Sequence, residues 1–345
     1  MTRNCEERMR DVRRLVSAAR ALSRDPAIAD ALVRTTGLSK SGVALALAEH
    51  LETSPAEGDL RQLVERTSLA EEVHVVLSAN VFTGALRALA VARAAADRVT
   101  VAPSRREPVF ARALVEQACD PGLSIDLGPG VRSVPGGEIH VYGHDETIAR
   151  FRASAPKEVR VRGHGSGLGI ACVTDEDDLA LAARAVARDV AAFDQRGCLS
   201  PRVVLFLGTQ RSAEELSEQL DRALESVEER VPRGRLAADE SAAAARYAST
   251  IEFVGRLWRG KAHLVGLAPK TTPLMIPPPG RHLHVAVVES LVDARARVAA
   301  VASLIAAVGS DSLSLGGQLV DHPVRVSALG QMQRPPLDGP VDLRG

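Results

Sequence analysis

Three residue types are scarce or scattered in this 345-residue chain, and one pattern is missing altogether. Aromatics amount to one Trp, two Tyr and six Phe, too few for the stacking platforms that hold unpaired bases. Lysine occurs only at Lys40, Lys157, Lys261 and Lys270, so arginine carries nearly all the positive charge. The 43 basic side chains are matched by 43 acidic ones, which gives no general attraction to a polyanion and argues against a nucleic-acid partner. The four cysteines, Cys5, Cys119, Cys172 and Cys198, have neither CxxC spacing nor a pairing pattern. That excludes a disulfide framework or a cysteine metal site and fits a reducing, cytoplasmic setting. No window approaches the roughly 18 uncharged apolar residues of a membrane span. Met1–Arg20 carries acids and arginines where a signal peptide would be apolar.

What is present is enough chain for two moderate cores. From residue 5 to about residue 66 the pattern is that of amphipathic helices, broken near Asp25-Pro26, Gly37 and Ser54-Pro55. Short apolar runs then alternate with helical segments. Val73–Leu77, Val99–Val101, Ser124–Leu127 and Glu138–Val141 read as strands between helices at Gly84–Ala96, Glu107–Ala118 and Glu146–Ser154. Such alternation predicts a parallel α/β sheet. After an extended run at Val159–Val161 comes a glycine-rich bend, Gly163–Gly169. Ala171–Thr174, the helix Glu176–Ala192, the strand Val203–Leu207 and the charged helix Ala213–Val231 follow. Further helix is expected through Trp258, extended chain near His263–Leu267 and His282–Val288, and a helix over Leu291–Val308 before a proline-rich tail.

The most informative stretch is Phe193–Pro201, where a helical run ends, Gly197 breaks it and Cys198 sits in the break before a strand. A thiol held on such a loop can attack a carbonyl carbon, provided its surroundings favour the thiolate. Most lone cytosolic cysteines are small buried hydrophobes, and that reading stands for Cys5, Cys119 and Cys172. Asn80 follows the strand Val73–Leu77, at the carboxyl end where open α/β sheets place ligands. Its amide can donate to an oxyanion, or simply cap the next helix. Gly163–Gly169 fits neither GxGxxG nor a P-loop, so a flexible bend between domains is the sober reading. Within it, His164 is placed to tune the thiol.

Taken in order, these segments resemble the aldehyde dehydrogenase superfamily, and within it the bacterial fatty acyl-CoA reductases of the LuxC type, which make aldehyde for luciferase. Asn80 matches the strand–turn asparagine of the superfamily. Ala102-Pro103-Ser104 matches its cofactor-binding Lys-Pro-Ser, Gly143-His144 its Gly-Ser turn, and Asp194–Pro201 its nucleophile motif. Arg281–Leu291 resembles the segment ahead of its last long helix, and Ala328–Pro336 the closing motif of the reductases. The likeness runs from about Glu71 to Asp338. It implies an aldehyde-dehydrogenase-like α/β fold, with a Rossmann-type nucleotide-binding domain over residues 71–170 and a catalytic domain over 171–320. Residues 1–70 would be a helical segment packed on the cofactor domain, and 321–345 a tail. Relatives commonly assemble, which leaves a homo-oligomer and an acyl-transferring partner enzyme open.

The departures sharpen the expectation. Where hydrolytic members carry a general-base glutamate in Glu-Leu-Gly-Gly, this chain has Gly163–Gly169 and no carboxylate, so an acyl-enzyme would persist for transfer or reduction. Where a lysine and a glutamate often hold the adenosine ribose, Ala102 and Arg105 stand, which suits a 2′-phosphate. The expected reaction is therefore reduction of an acyl-CoA to an aldehyde by NADPH rather than NADH. Cys198 is the nucleophile, with Asn80 and the Cys198 backbone N–H for the oxyanion; His164 stands beside them. Ser78, Ala79, Ala102, Ser104, Arg105, Gly143 and His144 would bind cofactor, and no metal site is expected. The tail lacks the Trp and His the reductases often show. An acyl-phosphate reductase of the glutamyl phosphate type and a non-catalytic scaffold subunit are the alternatives.

Overall fold

The computed structural model describes residues 3–128, 134–176 and 178–344. Four helices lead, α1 (Cys5–Leu22), α2 (Pro26–Thr36), α3 (Lys40–Glu49) and α4 (Glu57–Arg66). Their breaks are chemical. Asn4 and Glu7 form a capping box that starts α1, and Asp25 caps α2 with Pro26 in its first turn. Gly37 closes α2 in the left-handed region (φ 74°), and Ser39 caps α3. The apolar stripe Met9, Val12, Leu15, Val16 and Ala19 seats α1 against the helices of the first sheet.

That sheet is built from β1 (Val73–Val76), α5 (Gly84–Ala95), β2 (Val99–Ala102), α6 (Val109–Ala118), β3 (Leu123–Ile125), β4 (Glu138–Tyr142), α7 (Asp145–Ser154) and β5 (Arg160–His164). Its order is β3-β2-β1-β4-β5 and its pairings are parallel. Strand order therefore reverses between β1 and β4, and a crevice opens at their carboxyl ends.

The second sheet follows from β6 (Leu168–Thr174), α8 (Leu179–Ala191), β7 (Pro201–Leu207), α9 (Gln210–Arg230), α10 (Ala238–Val254), β8 (Arg256–Arg259), β9 (Leu264–Leu267), β10 (His282–Val288), α11 (Leu291–Val298), β11 (Ile305–Ser310), α12 (Leu313–Gly317) and β12 (Arg325–Ser327). It has seven strands in the order β12-β11-β6-β7-β10-β9-β8, antiparallel only at β8–β9. Its central strands are buried along their length, the pattern of a parallel sheet covered on both faces.

The parallel α/β expectation holds, and three local expectations do not. Trp258 lies in edge strand β8 rather than in helix; the helix ends at Val254 and Gly255 packs its backbone on Leu267, where a Cβ would stand 2.2 Å from the carbonyl oxygen. The helix expected over Leu291–Val308 stops as α-helix at Val298, and Ile305–Ser310 is the fully buried strand β11. A short apolar run does not reveal whether it is core strand or core helix. The glycine-rich bend is mostly strand: His164 ends β5, Leu168 begins β6, and only Gly165–Gly167 connect them.

Candidate active site

A cavity of about 420 Å³ opens where the two sheets meet, a size ordinary for a small-molecule site. Of the residues singled out from the sequence, Cys198, Asn80, His164, Ser78, Gly143 and His144 all line it. Ala79, Ala102, Ser104 and Arg105 do not. Ala102 is the last residue of β2, paired with Val76, and Ser104 accepts a bond from the Arg106 N–H in the loop beyond.

The segment Phe193–Ser200 is held in a strained conformation by buried polar bonds. Phe193, Asp194 and Gln195 are three successive non-glycine residues in the left-handed region, at φ 53°, 50° and 66°. Such a conformation costs on the order of 1 kcal/mol or more per residue and persists only where the surroundings enforce it. Here the Gln195 amide donates to the carbonyls of Pro201 (2.7 Å) and His282 (2.8 Å) and accepts from the His282 N–H (2.9 Å). Asp194 pairs with Arg281 at 2.8 Å and accepts from the Gly234 N–H. Arg281 is itself left-handed (φ 69°), 1% exposed, and also bonded to Glu228 and the Val231 carbonyl. Neither Gln195 nor Arg281 had been singled out for this role, because the pairing spans 87 residues. The only signal was that both sit in motif segments.

The glycines opposite have a different reason from the one expected of a hinge. A Cβ on Gly167 would stand 2.5 Å from the Cys198 Cβ, and one on Gly169 would stand 2.4 Å from the Leu199 carbonyl oxygen. Gly167 and Gly169 are glycine because the Cys198–Ser200 segment lies against them, whereas Gly163 and Gly165 face the Ile148 and Asp145 side chains of α7.

Cys198 is half-buried. Burial and the Asp342 carboxylate push its thiol up to about 11, against weaker help from Arg344 and from the backbone N–H groups of Cys198 and Leu199. His164 stacks on Tyr142 at 4.4 Å. Burial, with the His140 ring alongside at 6.5 Å, takes its imidazole down to about 4, so it is neutral near pH 7. The buried Tyr142 hydroxyl has no hydrogen-bond partner among the described residues. Asn80 is exposed, and its side-chain oxygen accepts from Arg106 at 3.0 Å. The other cysteines lie outside the cavity: Cys119 is exposed, Cys5 half-buried, and the buried Cys172 is pushed up to about 12.

The stretch Gly163–Gly169 has no carboxylate of its own, yet the cavity does. The closing segment is tied to α5 by Arg87, through the carbonyls of Pro335, Pro336 and Gly339, and to β12 by Arg325, through Asp338. It places Val341 and Asp342 on the cavity wall. Both Asp342 oxygens accept from the Arg344 guanidinium, at 2.8 and 2.7 Å. The sequence reading gave this pair no role.

The model of the LuxC acyl-CoA reductase family matches residues 137–315, more than half of the chain. The chain belongs to that family. Solved structures similar to this LuxC-family chain include a NAD-dependent benzaldehyde dehydrogenase from Corynebacterium glutamicum (TM-score 0.69, 15% identity, covering 96% of this chain and 83% of that one). Another is an NADP-dependent glyceraldehyde-3-phosphate dehydrogenase from Bacillus halodurans C-125 (0.67, 15%, 94% and 78%). A third is a propionaldehyde dehydrogenase from Clostridium phytofermentans (0.62, 14%, 94% and 84%). At these identities the likeness shows the fold, that of the aldehyde dehydrogenases. No curated protein sequence matches the chain. Among the described residues no helix is long and apolar enough to cross a membrane.

Proposed function

We propose that this LuxC-family protein reduces an acyl-CoA to an aldehyde through a covalent Cys198 acyl-enzyme, with NADPH as reductant. One observation carries the reading: Cys198, from the seven-stranded side, shares a cavity with Ser78, Asn80 and Gly143 at the switch point of the five-stranded sheet. A thiol and a nucleotide crevice in one cavity suit transfer between a cofactor and a cysteine-bound acyl group.

The residues at the switch point fit a nicotinamide nucleotide. Ser78 and Gly143 lie just beyond the carboxyl ends of the two strands that flank the crevice, and the Asp145 carboxylate at the start of α7 is turned onto the Ser166 N–H at 3.0 Å. Beyond β2, Arg105 is exposed, with no ion pair among the described residues, and no carboxylate stands at Ala102 to select a free 2′-hydroxyl. When bound, the reduced cofactor supplies the hydride that converts the acyl-enzyme to a Cys198 thiohemiacetal.

The chain's own groups do the rest. The Cys198 thiol gives up its proton, for which His164 is the neutral ring in the cavity, and the sulfur attacks the thioester carbonyl. The Asn80 amide and the Cys198 N–H take the oxyanion charge. The C–S bond to CoA breaks and the CoA sulfur leaves with the proton. After reduction the thiohemiacetal collapses to aldehyde and free thiol. Arg344 occupies both oxygens of Asp342, so no free carboxylate is offered there to activate water. An acyl phosphate would call for a basic cluster beside the thiol. Arg196 is instead bonded to Glu240, and Arg202 to the Pro277 carbonyl, which favours the thioester.

The test is NADPH oxidation, followed by absorbance, with acyl-CoAs of graded chain length. Wild-type protein should turn over, and Cys198→Ala should lose at least about 10³-fold together with all covalent labelling by radioactive acyl-CoA. Retained labelling refutes the nucleophile, and equal turnover with NADH refutes the cofactor preference.

A further inference from the structure

Asp342 and Arg344 form a built pair beside the nucleophile. The Asp342 side chain is 7% exposed and that of Arg344 15%. Besides its two bonds to Asp342, the Arg344 guanidinium donates to the carbonyls of Ser166 (3.0 Å) and Ser303 (2.9 Å). Ser166 precedes Gly167, the residue whose Cα lies against Cys198. Val341 packs in the same small cluster as Cys198 and Leu199. The guanidinium thus ties the closing segment to the β5–β6 connection and to the turn ahead of β11, and its charge and that of Asp342 are fixed at the cavity wall.

We propose that this pair sets the reactivity of the Cys198 thiol in opposite senses, Asp342 keeping the proton on the sulfur and Arg344 offsetting that hold. Asp342 raises the thiol and Arg344 lowers it, and the same carboxylate faces His164. From β5 the titratable group on the cavity wall is His164, neutral near pH 7. From α7, Asp145 is committed to the Ser166 N–H and is felt by Arg344. The other charges on the cavity wall are engaged away from the sulfur. Arg87 pairs with Glu52, Glu107 caps α6 through the Phe110 N–H, and Arg196 and Arg202 are bonded as described. His144, His50 and Tyr142 are the remaining titratable groups there; burial holds the His50 imidazole down to about 4 and pushes the Tyr142 hydroxyl up, so both are neutral near pH 7. An unmodified thiol that stays protonated at rest resists oxidation, since the thiolate is the reactive form. The proposal rests on Cys198 being the nucleophile, but its test reads the sulfur directly.

That test is the pH profile of Cys198 alkylation by iodoacetamide, in which thiolate displaces iodide, followed by mass spectrometry of the Cys198 peptide. Cys119 serves as the exposed control and Cys172 reports unfolding. Asp342→Asn should lower the midpoint by about one pH unit, and so raise the rate about tenfold at a fixed pH below it. Arg344→Gln should raise the midpoint by about as much, while Arg344→Lys keeps it near the parent. The Asp342→Asn/Arg344→Gln protein should return to within about 0.3 unit of the parent. A merely structural latch predicts something else: both single variants loosen the site and speed alkylation alike. Midpoints that move the same way, or not at all, overturn the proposal. If Asp342→Asn alone exposes Cys172 to alkylation, Arg344→Gln still decides. An upward midpoint supports the proposal and an unchanged one overturns it. Failure of Cys198→Ala to stop acyl-CoA reduction would remove the nucleophile while leaving this profile measurable.

Discussion

Two short segments flank the cavity, and they are held in opposite ways. Phe193–Ser200 carries three strained residues, and its Asp194 and Gln195 side chains are buried and bonded to Arg281 and His282, 87 residues away at the start of β10. The turn after β1 carries no strained residue, and Asn80 at its tip is exposed, with an exposed arginine as partner. On the proposed mechanism, with Cys198 as nucleophile and Asn80 as oxyanion donor, the difference divides the labour of covalent catalysis. A nucleophile must be fixed before substrate arrives, because a misplacement near 1 Å can cost about 10² in rate. An oxyanion donor beside a nucleotide crevice has to let ligands in, and it need only reach its geometry in the transition state.

The strongest way to break this comparison is at Arg281. Arg281→Met keeps the bulk and removes the charge from Asp194 and Glu228, leaving a buried and a half-buried carboxylate without their shared guanidinium. Breaking a buried pair on one side costs about 3–5 kcal/mol, and the strain at Phe193–Gln195 would lose its restraint. Urea unfolding should show a loss of that size, and turnover should fall even where the protein remains folded. A loss under about 1 kcal/mol would mean that the segment's shape is intrinsic and that the network merely accompanies it.

How much of this was legible beforehand depends on how far apart the partners lie. Gly197-Cys198 marked a helix-to-strand break by local signals alone, Asn80 was found from the strand it follows, and His164 from the glycine-rich run around it. All three line one cavity. Asp194–Arg281 and Cys198–Asp342 join residues whose spacing in the sequence carries no periodicity, so only the folded sheets bring them together. The run Gly163–Gly169 shows the limit from the other side. Glycine reports that a Cβ is not tolerated, but not whether the cause is a turn, a phosphate or, as at Gly167 and Gly169, the close approach of Cys198–Ser200. The misread segments were of the same kind, since Ile305–Val308 is apolar enough for either a buried helix or a buried strand.

The softer side predicts large chemical effects with small structural ones. Asn80→Ala should leave stability within about 0.5 kcal/mol, as for other exposed substitutions. If its amide stabilises the oxyanion, turnover should fall about 10²–10³-fold with acyl-CoA affinity little changed. Steady-state kinetics beside urea unfolding would show both. A stability loss matching that of Arg281→Met would erase the contrast between the segments.

Arg106 gives the smallest and sharpest test. It donates to the Asn80 oxygen from an exposed position, and contacts of that kind contribute at most about 1 kcal/mol, usually less. If the turn is held loosely, the Asn80 amide finds its working orientation without this arginine once an oxyanion forms. Arg106→Ala should then keep turnover within about threefold of the parent at saturating substrate. A fall approaching that of Asn80→Ala would mean that Arg106 orients the amide as firmly as Arg281 orients Asp194. The two sides of the cavity would then be equally preorganised, and access for ligands would have to come from elsewhere.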